Sequence, residues 1–183
     1  MQAAIERAAT LLAEAGAPVE DVVLPNEVIE AGPQFDVLTS WEGARVLERE
    51  ARDHLDSFKP WNREKIEFAR TLTEDRYLEA NRILAAARAS LATRFDAFDV
   101  LLTPPRIGEA LVRIEGVRPS PFNAVWTQMY TPCVTLPLFE GPNGMPLGIQ
   151  IVGAEHADDA TLANAAWIDR TLRAALGTIP AGL

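Results

Sequence analysis

The stretch PSPFNAVWTQMYTPCVTLPLFEGPNGMPLGIQIVG, Pro119–Gly153, decides how the rest of the chain is read. Pro121 suits the first turn of a short helix, because its missing N–H is an unpaired donor there anyway. That helix runs to about Tyr130, with Phe122, Trp126, Met129 and Tyr130 at helical spacing. Cys133–Leu138 and Leu147–Val152 then read as two strands about a GPNG turn, most simply a hairpin. Strands this apolar need cover on both faces, which points to an α/β fold.

The flanks extend the pattern. FDVLLT, Phe98–Thr103, is a continuous apolar strand stopped by Pro104 and Pro105. Residues 104–120 form a long loop. Downstream, Asp158 is placed to cap a last amphipathic helix, Ala160–Leu176, which Gly177 ends. Upstream, residues 3–15 have helical spacing with Gly16 as the stop, and VEDVVLP, Val19–Pro25, alternates as a strand. Met1 lies almost inside the first helix, where natural domains more often begin with a few loose residues, so a start within a longer protein is expected. Residues 34–56 return to helical spacing through Phe35, Leu38, Trp41 and Leu47. SFKPWNRE, 57–64, breaks that run at Pro60. Thr73 opens a second long helix over about 74–95, rich in alanine at its centre. The two helical runs predict a helical hairpin over 34–97. The whole order predicts an α/β fold with one mixed sheet of about four strands covered by helices.

Composition narrows the function. The chain has 183 residues, 48% hydrophobic and 23% charged, with a formal net charge of −9. So acidic a chain repels phosphate backbones, and nucleic acid is not expected as a partner. One cysteine, Cys133, forms no intrachain disulfide and no CxxC metal site, which suits a reducing, cytoplasmic setting. No stretch approaches the ~18 consecutive apolar residues of a membrane span. Cys133 reads as a small buried strand residue rather than a nucleophile. His54 and His156 read as surface residues, and Asp158–Asp159 as a helix start matched to the helix dipole. Gly144, Gly148 and Gly153 lie around strands rather than before a helix, unlike a phosphate loop. No metal or cofactor is expected.

Three segments together resemble the C-terminal third of an amidase signature family enzyme, of the amidase or Glu-tRNA(Gln) amidotransferase kind. They are LLAEAGAPVEDVVLP (11–25), Tyr77 through FDAFDVLLTPP (95–105), and FNAVWTQMYTPCVTLPLFEGPNGMPLGIQIVG (122–153) followed by DATLANAAWIDR. The third carries the most specific pattern, at Pro132, Pro137, Gly144, Pro146, Gly148, Gln150 and Gly153. The chain departs from the family at Thr127, Tyr130 and Cys133, where Asn, Gly and Ala are usual.

The resemblance implies part of an α/β/α sandwich, residues 1–183 forming a single partial domain. It implies a parent activity of hydrolysing carbon–nitrogen bonds in small-molecule amides. The family uses two serines and a lysine set in a Gly/Ser-rich stretch. This lysine must be neutral to accept a proton, and glycines let backbone N–H groups approach the oxyanion. Here Ser40, Ser57, Ser90 and Ser120 are isolated, there is no Gly-Gly pair, and Lys59 and Lys65 flank a polar break. No catalytic residue is therefore assigned. Phe122, Trp126, Met129 and Tyr130 read either as core packing or as a pocket wall, and on the second reading, which the resemblance implies, Ser120, Asn123, Trp126 and Thr127 are expected to contact substrate. The expected partner is a missing N-terminal catalytic half, or a second copy in a homodimer.

Overall fold

A computed structural model describes residues 1–110 and 121–177. The chain divides into two compact units, Met1–Val23 with Ala92–Leu183, and Leu24–Leu91.

The first unit is built on a three-stranded antiparallel sheet in the order β1-β3-β2, with β1 Leu101–Thr103, β2 Cys133–Glu140 and β3 Pro146–Val152. The expected hairpin is β2–β3, closed where Gly141 N–H donates to Met145 C=O at 2.9 Å. Its register sets Ile149 opposite Leu136 and Ile151 opposite Val134. Those side chains share one face with Leu102. Helices α1 (Gln2–Glu14) and α8 (Asp158–Leu176) cover that face, packing Ala8, Leu11, Leu12, Ala165, Ile168 and Leu172 against it. Ile149, Ile151 and Leu172 are fully buried. Each such side chain contributes about 1.5–3 kcal/mol of burial.

Strand β2 is an edge and carries two features of one. Pro137, which has no N–H, sits in its middle, and the register shifts between Pro137 and Phe139. The opposite edge, β1, is shorter than the predicted Phe98–Thr103 because the 3₁₀ turn Thr93–Asp96 and the bend after it take up the preceding residues.

The expected strand Val19–Pro25 does not pair. Among the described residues the sheet has three strands, all antiparallel, rather than about four of mixed direction. The segment lacks ladder bonds although its alternation is that of a strand.

The helix ends follow local chemistry. Gly16 (φ +93°) follows α1 in a Schellman arrangement: Ala17 N–H donates to Leu12 C=O and Gly16 N–H to Ala13 C=O. Asp158 does not cap α8. The helix begins there, Ala157 occupies the cap without a side-chain bond, and Asp158 and Asp159 lie in the first turn, where the dipole favours acids.

In the second unit the helical spacing of 34–56 is interrupted at Leu47, giving α3 (Gln34–Val46) and α4 (Glu48–His54) after the short α2 (Asn26–Glu30). Pro60 opens a helix, α5 (Pro60–Thr71), as well as ending the earlier run, because proline fits the first turn. Thr73 caps α6 (Glu74–Ala92), its hydroxyl accepting from Arg76 N–H at 3.2 Å. α3 packs on α5, while Trp41 stacks on Tyr77 of α6 with centroids 5.4 Å apart.

Among the described residues no helix is long and apolar enough to cross a membrane.

Gly153 joins β3 to α8 at a close approach. A Cβ there would overlap the Thr161 hydroxyl, which is buried and donates to Ala157 C=O. Gly153→Ala is expected to cost about 1–3 kcal/mol by overpacking. Adding Thr161→Ala should recover part of that loss. Thermal melts of the two variants check this; an unchanged Gly153→Ala melt refutes it.

Candidate functional site

The helix α7 (Pro121–Gln128) leads into β2 and carries most of the expected contact residues. Trp126, Gln128 and Met129 point inward and are buried. Asn123, Thr127 and Tyr130 recur at helical spacing and are exposed. The structure therefore splits the expected set. Asn123 and Thr127 share the outer stripe, Trp126 lies on the inner side, and Ser120 lies outside the described residues. Tyr130, expected with the apolar group, joins the exposed stripe. Thr127 Oγ1 donates to Asn123 C=O at 2.9 Å, so its hydroxyl is engaged within its own helix.

The end of α7 explains one departure from the family pattern. Thr131 N–H donates to Trp126 C=O and Tyr130 N–H to Thr127 C=O, a Schellman closure that needs the left-handed conformation at position 130. Tyr130 adopts it, with φ +57°. The backbone therefore keeps the shape that glycine favours, at the strain a side chain brings. This closure fixes where Pro132 and β2 begin, and Pro132 C=O accepts from Gly153 N–H at 3.0 Å.

On the sheet face opposite α1 and α8, the register aligns Thr103, Gln150 and Thr135 in one row across the three strands. Gln150 is buried, and among the described residues neither its Oε1 nor Thr103 Oγ1 has a hydrogen-bond partner, nor does the buried Trp126 Nε1. Each unmet buried group of this kind costs about 1–3 kcal/mol. Cys133 is exposed rather than buried, because β2 is the edge strand and position 133 lies on this second face. Its thiol reaches the Thr131 carbonyl at 3.6 Å, not a base. His54 and His156 are exposed, as read from the sequence.

Among the described residues the serines and lysines do not assemble into a nucleophile and base. Lys65 Nζ donates to Thr39 Oγ1 at 3.1 Å and lies 3.7 Å from Asp36. Ser90 bonds Glu27, and Ser40 is buried in α3 with its hydroxyl unpaired.

One polar contact was not legible in the sequence. Glu109 accepts from Asn143 N–H (2.9 Å) through Oε1 and from Asn143 Nδ2 (2.7 Å) through Oε2, and its side chain fills the space beside Gly141. The partners are 34 residues apart, and only an acid in the loop beside a turn asparagine hinted at it. Desolvation pushes the Glu109 carboxyl upward. The bonds from Asn143 backbone and side chain and from Met145 backbone outweigh it and hold the carboxyl below its ordinary value.

Two outcomes follow from this geometry. Tyr130→Gly should stabilise the chain by about 1 kcal/mol, read as a higher melting temperature, because it relieves a left-handed side chain; a lower one contradicts the strain argument. Glu109 has a depressed folded-state pKa, so its contribution is present above the ordinary carboxylate range and is lost as pH falls through the folded value. Protection of the Asn143 amide should fall with that acidification in the wild type and stay flat in Glu109→Gln, as followed by NMR.

No family model matches the chain. It is 28% identical over 172 residues to 2-amino-5-chloromuconic acid deaminase of Comamonas testosteroni, covering 85% of this chain and 36% of that enzyme. A solved amidase structure aligns with a TM-score of 0.78 at 27% identity, over 92% of this chain and 41% of that one. A bacterial aryl acylamidase of the amidase signature enzymes shares the fold, with a TM-score of 0.73 at 19% identity over 98% of this chain. The chain thus spans well under half the length of the proteins it matches. With the helix–hairpin–helix run of Pro121–Leu176 set in that shared architecture, the chain is similar over most of its length to amidase signature enzymes, as a C-terminal fragment of one would be.

Proposed function

We propose that this chain is the C-terminal portion of an amidase-type hydrolase acting on carbon–nitrogen bonds of small-molecule amides. It contributes part of the sheet and one wall of the substrate pocket. The Ser-Ser-Lys set belongs to the portion of the enzyme that this chain does not match, and the chain alone is inactive. One observation carries the reading: the likeness takes in 85% of this chain but only 36% of the deaminase it resembles. The side chains agree with it. A lysine that accepts a serine proton needs a desolvated place beside the hydroxyls. Lys65 instead sits against Asp36 and Thr39.

The pocket wall in this reading is the outer stripe of α7, with Asn123 and Thr127 as the polar contacts and Tyr130 as the aromatic one. Trp126 supports the wall from beneath rather than touching substrate. The assembled enzyme works in a reducing, cytoplasmic setting, in keeping with an exposed free thiol at Cys133.

The purified chain is expected to show no turnover of primary amides. Joined to the portion of the Comamonas deaminase outside the matched region, it is expected to restore turnover. In that chimera Asn123→Ala should raise KM by about tenfold, the worth of a lost hydrogen bond of about 1.4 kcal/mol, with kcat little changed. Trp126→Ala should instead lower stability by about 3–5 kcal/mol. Turnover by the isolated chain, abolished by one substitution within it, would refute the proposal.

A further inference from the structure

The turn of the β2–β3 hairpin holds the one Asn-Gly pair of the sequence, Asn143–Gly144. Glycine after asparagine leaves the following main-chain nitrogen open to the asparagine side chain, because no Cβ stands in the way. Both residues are exposed, and Gly144 has φ +76°. Such a pair deamidates when the asparagine Cγ meets the glycine nitrogen in an attacking geometry.

Hydrogen bonds hold Asn143 out of that geometry. Gly144 N–H donates to Gly141 C=O at 3.0 Å, which engages the nucleophile. Asn143 Nδ2 donates to Glu109 Oε2 at 2.7 Å, which anchors the side-chain amide on the preceding loop. Asn143 N–H donates to Glu109 Oε1 at 2.9 Å, so a single carboxylate grips both the main chain and the side chain of this residue. The Glu109 side chain fills the space that a Cβ at Gly141 would need.

We infer that Asn143 is a deamidation site kept closed by Glu109, and that its modification opens the contact irreversibly. In the reaction the Gly144 nitrogen gives its proton to solvent and bonds to Asn143 Cγ. The Cγ–Nδ2 bond breaks and Nδ2 leaves as ammonia, which forms a cyclic imide. Water then opens the ring at either carbonyl and leaves aspartate or isoaspartate at position 143. Nothing is oxidised or reduced. The product carries a carboxylate where the Nδ2 donor stood, facing that of Glu109. Like charges at hydrogen-bonding range repel, so Glu109 parts from the turn. Isoaspartate also lengthens the main chain inside the turn that Gly141 and Met145 close, which holds one end of the β3 register.

Incubation of the whole chain near neutral pH, with deamidation followed by mass spectrometry, tests this against the free peptide Glu140–Pro146. The chain should deamidate at Asn143 about tenfold or more slowly than the peptide, as bonds to a charged acceptor must break first. Glu109→Ala removes the grip. Gly141→Ala keeps the acid but displaces its flexible side chain, at a position whose backbone accepts alanine. Each variant should speed deamidation at Asn143 by about tenfold, with the remaining asparagines at their wild-type rates. Asn143→Asp should lower the exchange protection of the amide at position 143 by about tenfold. A wild-type chain as fast as the peptide, or either variant as slow as the wild type, overturns the closed site. Acceleration shared by every asparagine reports unfolding and overturns the role of Glu109 when both variants show it. Slower deamidation in Glu109→Ala makes Glu109 a base rather than a grip and overturns the inference. Full protection in Asn143→Asp overturns the opening of the contact.

Discussion

Ile149 and Ile151 are removed from solvent by the register of β3 between its two neighbours. Period two then sends Gly148, Gln150 and Val152 to the opposite face. A slip of one residue would exchange the two sets, placing Gln150 against α1 and α8 and turning both isoleucines outward. The register is held at both ends. The hairpin turn closes on Gly141 and Met145, and the carbonyl of Pro132 takes the Gly153 N–H where β3 leaves the sheet. The tight contact between Gly153 and Thr161 then sets the entry of α8, so the same register decides which helix covers the core.

The second face follows from the same constraint and has a different character. It carries the row Thr103–Gln150–Thr135 and an exposed cysteine, where the first face carries only apolar side chains. Buried polar atoms without partners are uncommon in complete domains. Their presence at Gln150, Thr103 and Trp126 fits a chain that covers well under half of each protein it matches. In physical terms the first unit has one wholly apolar face and one of mixed character, on which Gln150 and Val152 are buried and Thr135 and Cys133 are exposed.

The α7 site illustrates how far residue types alone reach. Helical spacing placed Phe122, Trp126 and Met129 together, and burial of Trp126 and Met129 agrees. Spacing did not separate Trp126 from Asn123 and Thr127, because a helix of eight residues presents both its sides within two turns. Nor did it place Tyr130. That residue leaves the helix through a left-handed closure imposed by hydrogen bonds to Trp126 and Thr127, and its ring turns to the surface.

Elements whose signals are local were legible in the residues alone. The β2–β3 hairpin, the Gly16 stop, the Thr73 cap and the amphipathic last helix are each set by hydrogen bonds or side-chain periodicity within a few residues. The likeness to amidase signature enzymes was legible too, because the spaced prolines and glycines of Pro132–Gly153 record backbone requirements directly. What those elements do with one another was settled by the folded chain. Val19–Pro25 has the composition of a strand, yet a strand exists only where a second backbone meets its N–H and C=O groups. Cys133 has the composition of a core residue, yet lies on an edge, and exposure depends on neighbours that the local sequence does not name. Glu109 and Asn143 meet because folding closes a loop between them, and no local pattern encodes that closure.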